Sequence, residues 1–153
     1  MLSKKDAEII SHLRNNARKK ITHISREMKI PVTTIYDKVR AHEKTFVKNH
    51  VTFLDFPILV LNAKANIAIK VERSSKEELQ KFLMGHPNVN SLSKINFGSD
   101  FLAEVDFKSI ADVENFVESL ERNYSISQIQ IFSVIEELKK EEFLTKPEHF
   151  ELV

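Results

Sequence analysis

The apolar residues between positions 65 and 135 switch repeatedly between a period of two and a helical period, and this switching limits the chain to few folds. Ala65, Ile67, Ile69 and Val71 alternate with Asn66, Ala68, Lys70 and Glu72, the pattern of a half-buried strand. Ser74-Ser75-Lys76-Glu77-Glu78 follows as a helix start with an acidic first turn. Leu79, Phe82 and Leu83 form that helix's apolar side, and Gly85-His86-Pro87-Asn88 ends it. Val89 to Phe97 reads as a second strand, Gly98-Ser99-Asp100 as a turn, and Phe101, Ala103, Val105 and Phe107 as a third strand. Ser109 to Asp112 is a capping box, and Ile110, Val113, Phe116, Val117 and Leu120 mark an amphipathic helix. Ile126 to Ile135 reads as the last strand. The order β-α-β-β-α-β predicts a ferredoxin-like domain over 64–135, an antiparallel sheet with both helices on one face.

The other face of such a sheet needs a cover. In the last strand Phe132 and Val134 point one way and Ile129, Ile131 and Ile135 the other, so both faces carry apolar groups. Helices on one side would leave one of these sets wet, and packing against a second copy in a two-fold contact would bury it. The competing covers are the N-terminal domain and the tail, 136–153. A homodimer is the expectation.

Residues 1–46 have a different pattern. Ser3 and Asp6 fit the first and last positions of a capping box, and Ala7, Ile10, Leu13 and Ala17 recur at helical spacing up to a stop at Asn15-Asn16. Ile21 and Thr22 read as staple and N-cap of a second helix with Ile24 and Met28 on its apolar face. Lys29-Ile30-Pro31 breaks it, and Pro31 opens a third helix at its first position, running to about Lys44. Val32, Ile35 and Val39 make its apolar face. Three short helices with a tight break between the last two predict a helix-turn-helix, winged-helix-like head. Residues 47–63 read as an extended linker or hinge strand, interrupted at Phe56-Pro57.

The formal net charge of +1 conceals a split. Residues 1–50 hold 12 Lys/Arg and 5 Asp/Glu, a balance of +7, whereas residues 51–153 hold 11 and 17, a balance of −6. A basic first third on an acidic remainder points the head, and only the head, at a polyanion. On the third helix Thr33, Thr34, Asp37 and Arg40 fall opposite the apolar face, with Tyr36 and Lys38 on its flanks. This is a short, hydrogen-bonding face of the kind that reads a major groove. Arg40 can grip guanine or phosphate. Thr33 and Thr34, with Thr22 at the start of the preceding helix, can meet phosphate oxygens or thymine methyl groups. Tyr36 and Lys38 position the backbone, and Asp37 can accept from cytosine N4 or hold Arg40. Double-stranded DNA is the expected partner.

Other classes of function find little support. The chain has no cysteine, hence no disulfide, thiolate metal site or cysteine nucleophile. Histidines 12, 23, 42, 50, 86 and 149 lack zinc-type spacing, so no metal is expected. With Gly85 and Gly98 the only glycines, there is no phosphate-cradling loop. Ser125 and Ser127 have no nearby His/Asp signature, and Glu136, Glu137, Glu141 and Glu142 read as a solvated charge run. No catalytic residue and no cofactor are expected. No apolar run approaches the roughly 20 residues of a membrane span, and MLSKKDAEII lacks the apolar core of a secretory signal. A cytoplasmic, non-membrane protein is the expectation.

The motifs carry a further resemblance. Leu2-Ser3-Lys4-Lys5-Asp6-Ala7-Glu8-Ile9-Ile10 resembles the L-D-x-x-D-x-x-I-L opening helix of Lrp/AsnC (feast/famine) regulators. Asn16-Ala17-Arg18 resembles their N-A-R segment, and Ile30 to Arg40 resembles their L-S-x-S-x-V-x-x-R-V-x-x-L recognition helix, with Pro31 where a serine cap is usual and Lys38 where arginine is usual. The resemblance covers about residues 2 to 135. It implies a transcription regulator assembled as a dimer or higher oligomer, often an octamer, with amino-acid effectors bound between second domains. It also implies a G-x-Y-D turn that helps hold the effector. The nearest match is Phe97-Gly98-Ser99-Asp100, with glycine one place late and Ser99 replacing tyrosine. Asp100 can accept an ammonium group, and backbone N–H groups around Gly98 and Ser99 can meet a carboxylate. A bare tight turn with Gly98 at positive φ is the competing reading.

Two other functions compete. Some proteins of this architecture decarboxylate siroheme-type tetrapyrroles using basic and histidine residues of the second domain, but here that domain is acidic and its histidines are His86 and His149. An effector-binding module whose head no longer binds DNA is the other alternative, and the +7 head weighs against it.

Overall fold

A computed structural model describes residues 3–152 of the chain. Leu2, first residue of the opening motif, lies outside the described residues, as do Met1 and Val153. The chain forms two compact units, Met1–Phe53 with Leu138–Val153, and Leu54–Glu137.

In the first unit, α1 (Lys4–Asn15) starts at the expected capping box: Ser3 Oγ accepts from the Asp6 N–H, and the Asp6 carboxylate accepts from the Ser3 N–H, each at 3.2 Å. Helix α2 (Ile21–Met28) begins two residues earlier than Thr22 as a cap requires. Its N-cap is Lys20, whose carbonyl accepts from the N–H groups of His23 and Ile24, so Thr22 lies inside the first turn and caps nothing. Helix α3 (Val32–Thr45) has Pro31 as N-cap rather than first residue, because an extended ψ of 141° keeps the proline outside the helix. Ile9, Ile24, Ile35 and Val39 form the core of this unit, with Leu13, Ile21, Met28 and Ile30 packed around it. Val32, expected on the apolar face, is exposed; the buried stripe is Ile35, Val39 and His42. Ala17 lies beyond the end of α1 and is exposed, while Ile9 takes the buried place.

The C-terminal tail belongs to this unit. The Arg14 guanidinium on α1 donates to the carbonyls of Glu141 (2.7 Å) and Phe143 (3.0 Å), and the Asn15 amide donates to the Thr145 carbonyl (2.6 Å). A 3-10 helix, Pro147–Leu152, ends the described tail.

The second unit carries β1 (Ala63–Val71), α4 (Lys76–Gly85), β2 (Val89–Lys94), β3 (Phe101–Phe107), α5 (Ile110–Asn123) and β4 (Ile126–Ser133). The sheet order is β2-β3-β1-β4, all pairs antiparallel, which is the ferredoxin-like arrangement the β-α-β-β-α-β order predicts. Directly paired residues share a face. Ala65, Ile67 and Ile69 line up with Val105, Ala103 and Phe101, and these pack with Leu79, Leu83, Val113, Phe116, Val117 and Leu120 in one core. Ser109 and Asp112 form the expected capping box.

The elements differ from expectation in several places. Residues 46–62 contain no strand: Phe56–Val60 is a turn, and an isolated extended segment has no ladder for its N–H and C=O groups. Strand β2 stops at Lys94 and β4 at Ser133, short of Phe97 and Ile135, where pairing with the neighbouring strand ends. Ser75 starts α4 in αR geometry without a side-chain cap bond. Phe82 and Ile110 are exposed at helix edges. The open face of the sheet carries Asn66 and Ala68 of β1 opposite Phe132 and Gln130 of β4 and opposite Glu104 and Leu102 of β3. It is therefore polar except for Ala68, Leu102 and Phe132, since Ile129 and Ile131 sit on the helix side and Ile135 lies beyond the strand. Among the described residues no helix is long and apolar enough to cross a membrane.

Candidate functional site

The tight break between α2 and α3 presents the polar face of α3. Lys29 ends α2 in a left-handed conformation (φ 55°), and the Ile30 N–H returns to the Ser25 carbonyl at 3.1 Å. Ser25 Oγ donates to the Ile30 carbonyl, which closes the turn. Pro31 then starts α3 almost at once. With Ile35 and Val39 buried, Thr33, Thr34, Asp37 and Arg40 are exposed, as is Tyr36. The Arg40 guanidinium lies 5.7 Å from the Tyr36 ring centroid, within cation–π reach. The two side chains meet across one helical turn, and among the described residues Arg40 makes no ion pair.

Neither Lys20 nor Pro31 supplies a side-chain acceptor at its helix start. No side chain caps the first-turn N–H groups of α2 or α3, so those that the Lys20 carbonyl does not take are suited to phosphate oxygens. Thr22, Thr33 and Thr34 are exposed in these two first turns.

Lys38 is arranged differently. Its ammonium is 2.6 Å from Asp6 Oδ1, and the buried His42 Nε2 is 3.3 Å from the same oxygen. Burial pushes the Asp6 carboxyl up, but hydrogen bonds from Lys38 and Ser3 outweigh it and hold the group at about 2. Asp6 therefore remains an anion that ties α1 to Lys38 of α3, with His42 Nε2 close beside it. The capping box reveals only the local half of this role; Lys38 is 32 positions away, and no local pattern points to it.

In the second unit, Gly98 stands at φ 104° and Phe97 at φ 58°, so the β2–β3 turn is a true left-handed reversal. Phe97 is fully exposed. The Asp100 carboxylate accepts from the Val71 N–H at 3.0 Å and from the Lys76 ammonium. The Lys76 hydrogen bond first, then the Val71 bond, hold its carboxyl below the usual range. Asp100 thus pins the turn to the end of β1 and the start of α4, with Gly98 and Ser99 beside it. Among the described residues no cluster of His, Asp and Glu could hold a metal ion.

A cavity of about 440 Å³ opens elsewhere in the second unit, beside His86, Phe107, Lys108, Asn115 and Phe116. The sequence gives no warning of it, because its walls come from three separate segments.

The model of the Lrp/AsnC ligand binding domain family matches residues 64–143. An uncharacterised HTH-type transcriptional regulator of Pyrococcus abyssi is 23% identical over 148 residues, 96% of this chain and all of that one. The fold is similar to that of B. subtilis LrpC (TM-score 0.82, 18% identity, 91% of this chain and 98% of that chain). It is similar to E. coli AsnC (TM-score 0.81, 13% identity, 92% and 96%). It is also similar to a transcriptional regulator of Neisseria meningitidis solved as a complex with L-Met (TM-score 0.84, 18% identity, 92% and 94%).

Proposed function

The chain belongs to the Lrp/AsnC family of transcriptional regulators, and from that membership we propose that it is a sequence-specific DNA-binding regulator that oligomerises through its second unit and responds to a small molecule. The observation that carries the reading is the exposed face of α3, where a stacked Arg40 stands beside Thr33, Thr34 and Asp37 on a helix held down by Ile35 and Val39. Arg40 is the base reader, bidentate to guanine. Thr33, Thr34 and Asp37 complete the base-edge contacts. Thr22, Tyr36 and the uncapped first turns of α2 and α3 meet backbone phosphates. Lys38 joins that positioning set from the flank, its charge shared with Asp6. The +7 balance of residues 1–50 supplies the sequence-independent attraction.

Selection of bound fragments from random or genomic duplex DNA by the purified protein tests this directly. Enrichment of one motif, with affinity falling as salt rises, supports it; uniform, motif-free recovery overturns it.

The open sheet face, with Phe132 on its edge strand β4, is the proposed contact between two copies, with the octamer as the higher assembly the family supplies. Residues 1–46 act as the DNA-binding head, 47–63 as the linker and 64–135 as the oligomerising and sensing domain. The tail, 136–153, completes the head through Arg14. The Gly98-Ser99-Asp100 turn is the proposed effector contact, where an amino-acid ammonium would compete with Lys76 for Asp100. The Neisseria relative, solved with L-Met, makes an amino acid the first class to test.

A further inference from the structure

We propose that protonation of His42 loosens Lys38 from Asp6 and so strengthens the hold of the head on phosphate as pH falls. The inference deepens the DNA-binding reading and rests on it: it names how one positioning cation of α3 is made available.

An imidazole stands here in an apolar place. Ile35, Val39 and His42 form the buried stripe of α3, at the spacing that puts side chains on one helix face. His42 is 5% exposed, and its Nε2 has no hydrogen-bond partner among the described residues. A buried polar atom left unpaired costs stability, and a leucine would fill the stripe without that cost. The imidazole therefore calls for a physical reason.

An acceptor lies close by. Asp6 Oδ1 is 3.3 Å from His42 Nε2, and the Lys38 ammonium already holds the same oxygen at 2.6 Å. Asp6 Oδ2 is taken by the Ser3 N–H and hydroxyl. Oδ1 thus faces two nitrogen groups that lie four positions apart on one helix. The charged groups at the imidazole are Asp6 from α1 and Lys38 from α3 itself. Among the described residues neither α2 nor the tail makes an ion pair with it, and the Phe46 ring, 5.7 Å away between centroids, is uncharged.

Histidine is the side chain that changes charge between about pH 5 and 8. Asp6, held at about 2, stays ionised throughout that range. A proton on His42 therefore turns a neutral pair, one carboxylate and one ammonium, into a cluster of net charge +1. The buried imidazolium needs an acceptor, and Asp6 Oδ1 is the anion beside it. Lys38 is the partner that can leave. Its side chain is 32% exposed against 7% for His42, so water or a phosphate can take over its hydrogen bonds. Lys38 flanks the exposed face of α3 that carries Asp37 and Arg40, and an ammonium released there adds one phosphate contact. By linkage, DNA in turn holds the His42 proton more tightly.

The test uses the full chain in two arms. In the first, without DNA, the His42 imidazole and Lys38 Nζ resonances are followed from about pH 8 to about pH 5. Both should move with one midpoint, and the Lys38 movement should vanish in His42→Leu. In the second, affinity for a mixed-sequence duplex is measured against salt at the two pH values. The slope of log affinity against log salt should steepen at the lower pH, by about 0.9 more in the wild type than in His42→Leu. That comparison removes the background from His12, His23 and His50, which the variant keeps. Asp6→Asn frees Lys38 at every pH and should show the steeper slope already at the higher pH, which keeps the test if the leucine disturbs α3. The proposal is overturned if the His42 ring does not titrate in this range, or if the Lys38 resonance ignores its titration. It is equally overturned if the wild type and His42→Leu share one pH dependence of the slope. Absence of duplex binding at both pH values would overturn the DNA-binding reading, and the phosphate step with it, even where the two resonances move together.

Discussion

Asp6 Oδ1 stands 2.6 Å from the Lys38 ammonium and joins the first turn of α1 to the middle of α3. The same carboxylate caps α1 through Ser3. One side chain thus fixes the start of one helix and the orientation of another, and the second is the helix that carries Thr33, Thr34, Asp37 and Arg40.

The ionised Asp6 should make the stability of the head pH-dependent in the acid range. Its folded-state carboxyl titrates at about 2, against 3.8 for a free aspartate. A depressed folded value means the contribution is complete above about 3.8 and is lost as pH falls through about 2. The partly open setting reduces the size of the effect to about 1–2 kcal/mol. Urea denaturation of the wild type and Asp6→Asn between neutral pH and pH 2 should show the two curves converging as pH falls. A difference that stays constant across this range would remove the ion pair as its cause.

Arg40→Ala should weaken specific DNA binding by about 1–3 kcal/mol and relax the preference at one base pair. Tyr36→Ala should cost less, because it removes the surface on which the guanidinium rests and leaves the charge in place. Competition binding with the selected site and with point-mutated sites measures both. Equal losses on all sequences would make Arg40 a phosphate contact rather than a base reader.

Phe132 is half exposed on the open sheet face, between the polar neighbours Gln130 and Asn66 of the same face. If that face meets its copy, Phe132→Glu places two charges in one two-fold contact and should convert a dimer to a monomer at micromolar concentration. Sedimentation velocity of the full chain distinguishes the two. A dimer undisturbed by this substitution would place the contact elsewhere.

Periodicity in the sequence was enough to read the sheet, its two helices and the tight α2–α3 break, because each of these follows from local spacing and capping chemistry. Ile67 and Ile69 had to face the core whichever residues opposed them. The start of α2 was misplaced at Thr22 because a threonine is a good cap in isolation, whereas burial of Ile21 against the head core draws that residue into the helix. Apolar groups on both faces of the last strand show that one set needs a cover without showing which; register puts Ile129 and Ile131 on the helix side and leaves Phe132 with Ala68 and Leu102 on the open one. The exposed residues of α3 were identifiable from a helical wheel. Lys38's tie to Asp6, and Asp100's to Lys76 and Val71, depend on contacts 24 to 32 positions apart, which no local pattern encodes.

The last relationship yields the test of the effector turn. Asp100 is already satisfied by Lys76 and by the Val71 N–H, so an amino-acid ammonium gains this carboxylate only by displacing Lys76. A native-state ligand stabilises by RT ln(1 + [L]/Kd), about 2.7 kcal/mol at 100 times Kd. In the wild type the competition raises the apparent Kd, and a thermal-shift screen of the twenty amino acids at millimolar concentration should give small shifts. Lys76→Met removes the competitor, and the shift for the preferred amino acid should grow. Asp100→Ala should abolish it and should also lower the unliganded melting temperature, because the Val71 N–H loses its acceptor at a cost of about 1–3 kcal/mol. A ligand shift that survives Asp100→Ala undiminished would mean that the effector binds away from this turn, whatever the turn contributes to stability.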